Sequence, residues 1–208
     1  MRVLDLFSGT GSVADVFRSH GHTVTTLDRD MPASINIDIM QWQYRQLPNN
    51  YFDVIWASPP CTEYSRAKTT GIRKLDEANA IVRRTLDIIA YFNPSTWILE
   101  NPQSGLLKNQ VFMVGLPYVD VDYCKYGMPY RKRTRLWTNR NLKLLPLCNY
   151  DCDSVDKSGK RHKATAQRLP PGKSNTWDGQ AKHTQQDLYR IPAALISDVI
   201  AEIECLSV

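Results

Sequence analysis

The sequence predicts an α/β domain built on a mainly parallel β-sheet, because short apolar strands alternate with helical segments along most of the chain. The first strand runs into a glycine turn and then a helix, which is typical of such sheets. Residues 141–190 break the alternation, since they are basic, rich in Gly, Pro, Ser and Asn, and poor in periodic apolar positions. We therefore predict a main domain of residues 1–140, an irregular insert of residues 141–190 and a C-terminal helix in residues 191–208 that packs back on the main domain.

The first 57 residues contain four of the seven predicted strands. Residues 2–7 form an apolar run that ends at the turn Gly9-Thr10-Gly11, and the helix that follows stops at Gly21. Further strands are predicted at residues 22–27, 35–38 and 52–57.

The rest of the chain adds two helices and three strands. Residues 74–92 are strongly helical, and Asn93-Pro94 ends that helix. Strands are predicted at residues 96–99, 118–123 and 134–138. Residues 193–203 have the apolar spacing of a final amphipathic helix.

Composition excludes several classes of protein. Apolar residues make up 42% of the 208 residues and charged residues 23%, which is typical of a globular domain and excludes disorder, collagen and coiled coil. No apolar run approaches the ~18 residues of a transmembrane helix. Asp5 and Gly9 interrupt the N-terminal apolar run, so no secretory signal is predicted. The five cysteines are an odd number, which makes a disulfide framework an unfavoured interpretation.

Positive charge is concentrated in one part of the chain. The net charge is +5, but residues 125–173 hold 13 Lys and Arg against three acids, Asp151, Asp153 and Asp156. A solvated basic loop and a polyanion-binding face are both consistent with such a stretch.

The turn Gly9-Thr10-Gly11, with Ala14 three residues later, favours a nucleotide-type cofactor. Glycines between a first strand and a first helix let a ligand approach the backbone and the helix N-terminus. Asp28 ends the second strand, where a carboxylate can accept both hydroxyls of a ribose; the alternative is an acid that caps a turn. The pattern does not separate a dinucleotide from S-adenosylmethionine.

Two strand ends carry candidate catalytic residues. Ser58-Pro59-Pro60-Cys61 follows the fourth predicted strand, at the sheet edge where ligands bind, and the two prolines present Cys61 in a fixed direction. We interpret Cys61 as a nucleophile whose pKa is lowered by nearby positive charge, rather than as a buried apolar residue. Glu100-Asn101-Pro102 ends the next strand on the same edge, where Glu100 can protonate a ring nitrogen of a substrate or simply cap a loop.

These motifs, in this order, resemble the DNA (cytosine-5)-methyltransferases. Pro59-Pro60-Cys61 resembles the family's nucleophile loop, and Glu100-Asn101-Pro102 resembles its glutamate motif. The resemblance implies a Rossmann-like methyltransferase fold and S-adenosylmethionine as the cofactor. The residues that it implies for cofactor binding are Phe7, Ser8, Gly9, Thr10, Gly11, Asp28, Asp38, Ile39 and Pro59.

The resemblance also implies a covalent mechanism. Cys61 would add to cytosine C6, Glu100 would hold N3, and Arg133 and Arg135 would steady the pyrimidine and a phosphate. The target base must be flipped out of the duplex, because C5 and C6 are inaccessible inside it. This sequence departs from the family's Arg motif, since Tyr130 stands in place of the usual Gln and the Arg spacing fits only with one extra residue. The roles of the motif's basic residues are therefore open among Arg131, Lys132, Arg133 and Arg135.

The resemblance implies a DNA-binding surface as well. Between the Arg motif and the last helix, the family has a long target-recognition region, which here is only about 50 residues. Trp177 in this region is a candidate for stacking on a base, with packing as the alternative. The residues predicted to contact DNA are Tyr64, Arg66, Lys68, Arg131, Lys132, Arg161, Lys163 and Arg168.

A metal site is a further hypothesis for the insert. Cys148 and Cys152 lie four residues apart and His162 follows ten residues later, with His183 or Cys124 as a fourth ligand. Cys/His sets bind tetrahedral zinc, and a small insert often needs such a staple. The alternative is two free thiols and a surface histidine.

The leading hypothesis is a DNA cytosine-5 methyltransferase with duplex DNA as partner, monomeric and cytoplasmic, or in a host's nucleic-acid compartment if viral. An RNA (tRNA) cytosine-5 methyltransferase shares every motif. An amino-group methyltransferase has an aromatic residue where Cys61 stands. A non-enzymatic nucleic-acid binder or an NAD-dependent oxidoreductase has no use for Cys61 with Glu100.

Overall fold

The computed structural model describes residues 1–166 and 185–205, and its centre is a six-stranded β-sheet of order β2-β1-β3-β4-β6-β5. The strands are β1 (Arg2–Leu6), β2 (Thr23–Leu27), β3 (Val54–Ala57), β4 (Thr96–Pro102), β5 (Tyr118–Asp122) and β6 (Arg133–Thr138). The helices are α1 (Ser12–Ser19), α2 (Leu75–Phe92), α3 (Gln185–Tyr189) and α4 (Ala193–Cys205).

Strand direction confirms the predicted α/β class. Strands β2, β1, β3 and β4 pair in parallel, and β6 is antiparallel to both β4 and β5. The register sets Leu6 beside Ala57 and Ala57 beside Leu99. The residues that follow these three positions therefore emerge at one edge of the sheet.

Both faces of the sheet are covered, so its central strands are apolar throughout. Val3, Val54 and Ile98 face one cluster, which contains buried side chains of α1 and α4. Leu4 and Ile55, one residue further along their strands, face a second cluster that contains buried side chains of α2. This alternation gives three layers with the sheet in the middle.

One predicted strand is wrong and one helix was not predicted. Residues 35–38 make only an isolated bridge between Ile35 and Leu27. Their polar side chains bond to the loop instead, because the Asn36 amide donates to the carbonyl of Asp28. Helix α3 was missed because it is five residues long and lies in the stretch interpreted as irregular.

The described part of the insert folds back on the main domain. Val155 and His162 form an antiparallel bridge, and Ala164 bridges Tyr130. Leu188 of α3 joins Tyr130 and Ala164 in a small buried cluster. Within residues 1–166 and 185–205, no helix combines the length and apolar content needed to cross a membrane.

We predict that Ile196→Ala lowers the free energy of unfolding by about 2–5 kcal/mol, because it removes a fully buried side chain between α4 and α1. Urea denaturation measures the change. Ala201→Ser, at an exposed position of the same helix, should stay within about 0.5 kcal/mol of the parent. Equal losses in both variants would contradict the packing of α4 against this core.

Candidate active site

A cleft of about 280 Å³ opens at the carboxyl ends of β1, β3 and β4. It brings together residues that were predicted to bind the cofactor and residues that were predicted to be catalytic. Cys61 and Glu100 line the cleft, and so does Lys132. The predicted cofactor residues that also line it are Phe7, Ser8, Gly9, Thr10, Asp28 and Pro59. A single cavity therefore adjoins the glycine turn and the candidate nucleophile.

The glycine turn is held open by backbone geometry and by β2. Gly9 and Gly11 have φ values of 49° and 78°, in the left-handed region that favours glycine. The amides of Phe7 and Ser8 both donate to the carbonyl of Leu27. These bonds fix the turn against the end of β2.

Asp28 organises the same corner. Its carboxylate accepts the amides of Gly9, Asp30 and Met31 at 2.8, 2.8 and 2.9 Å. Asp28 therefore orders two loops while it lines the cleft. Its predicted contact with a ribose remains a prediction.

Asp38, Ile39 and Gly11 do not line this cleft, although all three were predicted to bind the cofactor. Asp38 is paired with Arg29, with 3.3 Å between the guanidinium and the carboxylate. Ile39 is buried in the core beneath the sheet, because its apolar side chain packs in the α2 cluster.

Asp5 was not among the residues predicted to bind the cofactor, yet it is a buried acid in this cleft. Burial raises its pKa to about 8, so the carboxyl is largely protonated at neutral pH. Its Oδ2 atom has no hydrogen-bond partner within the part of the chain that the structure describes. A buried polar atom that faces a cleft in this way fits a polar ligand.

The nucleophile loop is tied to the two neighbouring strands. The amide of Ser58 donates to the carbonyl of Leu6 at 3.1 Å. The Asn101 side chain donates to the carbonyl of Pro59 at 2.9 Å. The turn that presents Cys61 is thereby bonded to the strand that presents Glu100.

The predicted lowering of the Cys61 pKa is wrong for this structure. Burial raises the pKa of the thiol, and the charge of Glu100 raises it further. The positive charge of Lys132 lowers the pKa but does not outweigh burial. The resting thiol is therefore protonated at neutral pH.

Tyr123 was not predicted from the sequence to belong to the site, yet it contacts Glu100 directly. Its hydroxyl donates to Oε1 of Glu100 at 3.0 Å, and Glu100 is only 7% exposed. Burial, and then the charge of Glu100, raise the pKa of Tyr123 well above its ordinary value, so the tyrosine is the donor. Its position at the end of a predicted strand on the same sheet edge was the available signal.

The Arg motif is arranged differently from the prediction. Arg133 pairs with Asp122 at 3.1 and 2.7 Å, and Arg135 pairs with Asp120 at 2.7 and 2.9 Å. In each pair the acid on β5 lies directly opposite the arginine on β6. The guanidinium groups therefore find their hydrogen-bond partners within the sheet. Neither arginine lines the cleft, so their predicted catalytic contacts are not formed here.

Of the four basic residues that were candidates for the roles of the Arg motif, Lys132 is the one that lines the cleft. Its Nζ atom donates to the carbonyl of Leu188 at 3.0 Å and lies 5.0 Å from the centre of the Tyr123 ring. It is the charged group that favours the Cys61 thiolate.

The loop after Cys61 holds three predicted DNA contacts. Tyr64 is fully buried and donates to Asn79, so its predicted contact with DNA is wrong for this conformation. Lys68 is paired with Glu63 at 2.6 Å. Arg66 is exposed.

The remaining predicted DNA contacts lie mostly on the insert side. Arg131 is exposed and its guanidinium lies 5.1 Å from the centre of the Tyr150 ring. Arg161 pairs with Asp156, and Lys163 donates to a backbone carbonyl, while both side chains stay at the surface. Three residues named from the sequence lie outside the described residues: Arg168, Trp177 and His183.

The three predicted metal ligands do come together, and Cys124 joins them. The ligand atoms of Cys124, Cys148, Cys152 and His162 all lie within 4.8 Å of one another. Cys124 belongs to a single helical turn, Tyr123–Tyr126, which directly follows β5.

Comparison with known proteins identifies the family. The family model described as "C-5 cytosine-specific DNA methylase" matches residues 1–111. A Frog virus 3 (isolate Goorha) protein named "Probable DNA (cytosine-5)-methyltransferase" is 33% identical over 221 aligned residues, covering 96% of this chain and 99% of the viral protein. The chain belongs to the C-5 cytosine-specific DNA methylase family. The predicted family and enzyme class are thereby confirmed, and the family implies S-adenosylmethionine.

Solved structures agree with this assignment at the level of the fold. The Entamoeba histolytica methyltransferase EhMeth matches with a TM-score of 0.62 at 12% identity, covering 100% of this chain and 99% of that one. An E. coli prophage protein described as a "putative DNA modification methyltransferase" matches with a TM-score of 0.50 at 17% identity, covering 99% of this chain and 69% of that one. The predicted Rossmann-like methyltransferase fold is confirmed.

We predict that Lys132→Met slows alkylation of Cys61 by iodoacetamide at neutral pH about threefold or more. The thiolate is the reactive form, and removal of the cation raises the Cys61 pKa further. Mass spectrometry of the peptide that contains Cys61 measures the rate against pH. Alkylation of the parent protein should keep rising as the pH passes the ordinary thiol value.

Arg131→Met is the matched control, since this exposed neighbour does not line the cleft. Its alkylation profile should follow the parent. A Lys132→Met profile that also follows the parent would show that Lys132 does not act on the thiol.

Proposed function

We propose that this enzyme transfers a methyl group from S-adenosylmethionine to C5 of cytosine in duplex DNA, through a covalent bond between Cys61 and C6. The observation that carries the proposal is the shared cleft, which holds Cys61, Glu100 and the glycine turn in one cavity. A methyl donor and a cytosine bound there would be neighbours.

The cofactor end of the cleft fits S-adenosylmethionine. The turn from Phe7 to Thr10 and the carboxylate of Asp28 offer polar groups for an amino acid and a ribose, and Pro59 lines the adjacent wall. The unpartnered Oδ2 atom of Asp5 provides a further polar contact. When bound, S-adenosylmethionine supplies an electrophilic methyl group.

The protein's own part of the chemistry begins with Cys61. Its thiolate donates an electron pair to C6, while a proton shared between Glu100 and N3 draws electrons into the ring. The resulting enamine takes the methyl group at C5, and S-adenosylhomocysteine leaves. A base, such as a water molecule, then removes the C5 proton, the C5–C6 double bond re-forms, and the thiolate departs.

Lys132 and Tyr123 support these two residues. The Lys132 cation stabilises the thiolate that Cys61 must become. The Tyr123 hydroxyl occupies Oε1 of Glu100, which leaves Oε2 to meet the N3 atom of the base. The buried setting strengthens both interactions, because little water screens them.

The target cytosine must leave the helix to reach this cleft. Unstacking and unpairing cost a few kcal/mol, which contacts to the flipped base and to the phosphates offset. Arg66 in the loop after Cys61 and the basic stretch around Arg131 and Lys163 are the groups available for phosphate. An RNA such as a tRNA remains the alternative substrate.

We predict that Cys61→Ser abolishes methyl transfer from labelled S-adenosylmethionine to duplex DNA of random sequence, because a serine hydroxyl is a far weaker nucleophile. Glu100→Gln should lower kcat roughly 10²–10⁴-fold, because it removes the proton donor at N3. Bisulfite sequencing locates the product at cytosine C5.

Duplex DNA that contains 5-fluorocytosine tests the covalent step directly, since fluorine at C5 blocks the final proton removal. The parent protein should form a complex that survives denaturing electrophoresis, and Cys61→Ser should form none. Cys205→Ser, which changes an exposed cysteine of α4, is the control and should trap normally. Full methylation by Cys61→Ser would disprove the mechanism, and methylation of tRNA alone would disprove the substrate.

We also predict that the paired changes Arg131→Gln and Lys163→Gln reduce the slope of log K for DNA against log salt by about 2, since each neutralised phosphate contributes ~0.9. Fluorescence anisotropy at several salt concentrations measures the slope. Lys74→Gln with Lys108→Gln, two changes outside the basic stretch, should leave the slope unchanged. An unchanged slope in the first pair would show that these cations do not contact phosphate.

A further inference from the structure

Three thiols and an imidazole converge where the insert meets the main domain. Cys124 comes from the turn after β5, whereas Cys148, Cys152 and His162 come from the insert. Cys124, Cys148 and His162 are 3%, 4% and 7% exposed. The cluster therefore brings four ligand atoms together, three of them on buried side chains and the fourth on the partly exposed Cys152.

The geometry of the cluster suits a tetrahedral metal. Zinc bonds of ~2.3 Å to sulfur and ~2.0 Å to nitrogen place neighbouring ligand atoms about 3.5–3.8 Å apart. The Cys148 sulfur and the His162 Nε2 atom are 3.4 Å apart, and every pair in the cluster is within 4.8 Å. A small contraction of the set brings all four to one ion.

The type of ligand narrows the choice of metal. The cluster contains no carboxylate, so it does not suit Mg²⁺ or Ca²⁺, whereas three sulfurs and one imidazole suit Zn²⁺. The three cysteines are free thiols in this structure. A disulfide would involve only two of the three sulfurs, whereas a metal ion would involve all three and the imidazole.

The part of the insert between residues 141 and 166 has few apolar side chains to hold it in place. Among the described residues of the insert up to 166, only Leu142, Cys148 and Ala164 are buried hydrophobic side chains. Such a segment lacks the apolar area that would hold it in one conformation, and small segments of this kind commonly use metals.

We infer that Cys124, Cys148, Cys152 and His162 bind one structural Zn²⁺ ion that fastens the insert to the sheet edge beside the active site. The neighbouring contacts support the same role. The amide of Cys148 donates to Asp122, the acid that also holds Arg133. Cys124 directly follows Tyr123, whose hydroxyl bonds Glu100.

The first test is metal analysis of the full chain purified without chelator. Mass spectrometry of the metals should find about one zinc per chain. After zinc removal, added Co²⁺ should give the visible d–d bands of a tetrahedral site and a thiolate charge-transfer band. Iron in place of zinc would overturn the choice of metal, and no bound metal, with no uptake of Zn²⁺ or Co²⁺, would overturn the site.

Matched variants locate the ion. Cys152→Ser changes the least buried ligand and should lose tight zinc binding, whereas Cys152→His keeps a ligand and should restore it. Cys205→Ser and Cys61→Ser remove thiols outside the cluster and should retain one zinc. Full zinc content in Cys152→Ser would overturn the ligand assignment.

A measurement on the parent protein covers the case in which Cys152→Ser fails to fold. Chelation should speed tryptic cleavage at the exposed hairpin residues Lys157, Lys160, Arg161 and Lys163, and added Zn²⁺ should reverse the effect. Cleavage at Lys74, outside the insert, is the internal control. An unchanged cleavage rate at all four sites after zinc removal would overturn the stapling role.

Discussion

The parallel register of β1, β3 and β4 is the constraint on which the site depends. Leu6, Ala57 and Leu99 are aligned across the sheet, so the glycine turn, the Cys61 loop and Glu100 all start from one edge. Strand β6 runs the opposite way and therefore begins at that edge, which delivers Lys132, while β5 ends there and delivers Tyr123. The directions of the strands alone therefore bring the glycine turn, the nucleophile Cys61, the acid Glu100 and the cation Lys132 to one edge of the sheet.

Burial then determines the pKa values of the side chains that the sheet brings together. Loss of water raises the pKa of Cys61 more than Lys132 lowers it, so the thiol rests in its protonated, less reactive form. The same loss of water keeps Tyr123 protonated and makes it a donor to Glu100. Water does little to screen the charges in such a cleft. The binding of a phosphate or a base there can therefore change the equilibrium between the thiol and the thiolate of Cys61.

Much of this arrangement could be predicted from local sequence. Glycine at Gly9 and Gly11, the prolines before Cys61 and the strand end at Glu100 are signals carried by adjacent residues, and each was found. The predictions that were wrong concern contacts between segments that are far apart in the sequence. Arg133 and Arg135 carry the motif's charge, but their partners Asp120 and Asp122 lie on a strand whose register the sequence does not reveal. Tyr64 was assigned to DNA because it follows Cys61, while its true partner, Asn79, lies in α2.

The small size of the insert limits how it can be held against the sheet. The insert has few buried apolar side chains between residues 141 and 166, and the positive charges of the basic stretch, residues 125–173, repel one another. Pairing Arg133 with Asp122 and Lys125 with Asp151 reduces that repulsion near the sheet. Asp122 also accepts the amide of Cys148, so one buried carboxylate joins the last strands to the segment that carries the clustered cysteines. One buried carboxylate, that of Asp122, therefore neutralises Arg133 and at the same time fixes the backbone of the insert at Cys148, so the insert is held directly against the last strands of the sheet.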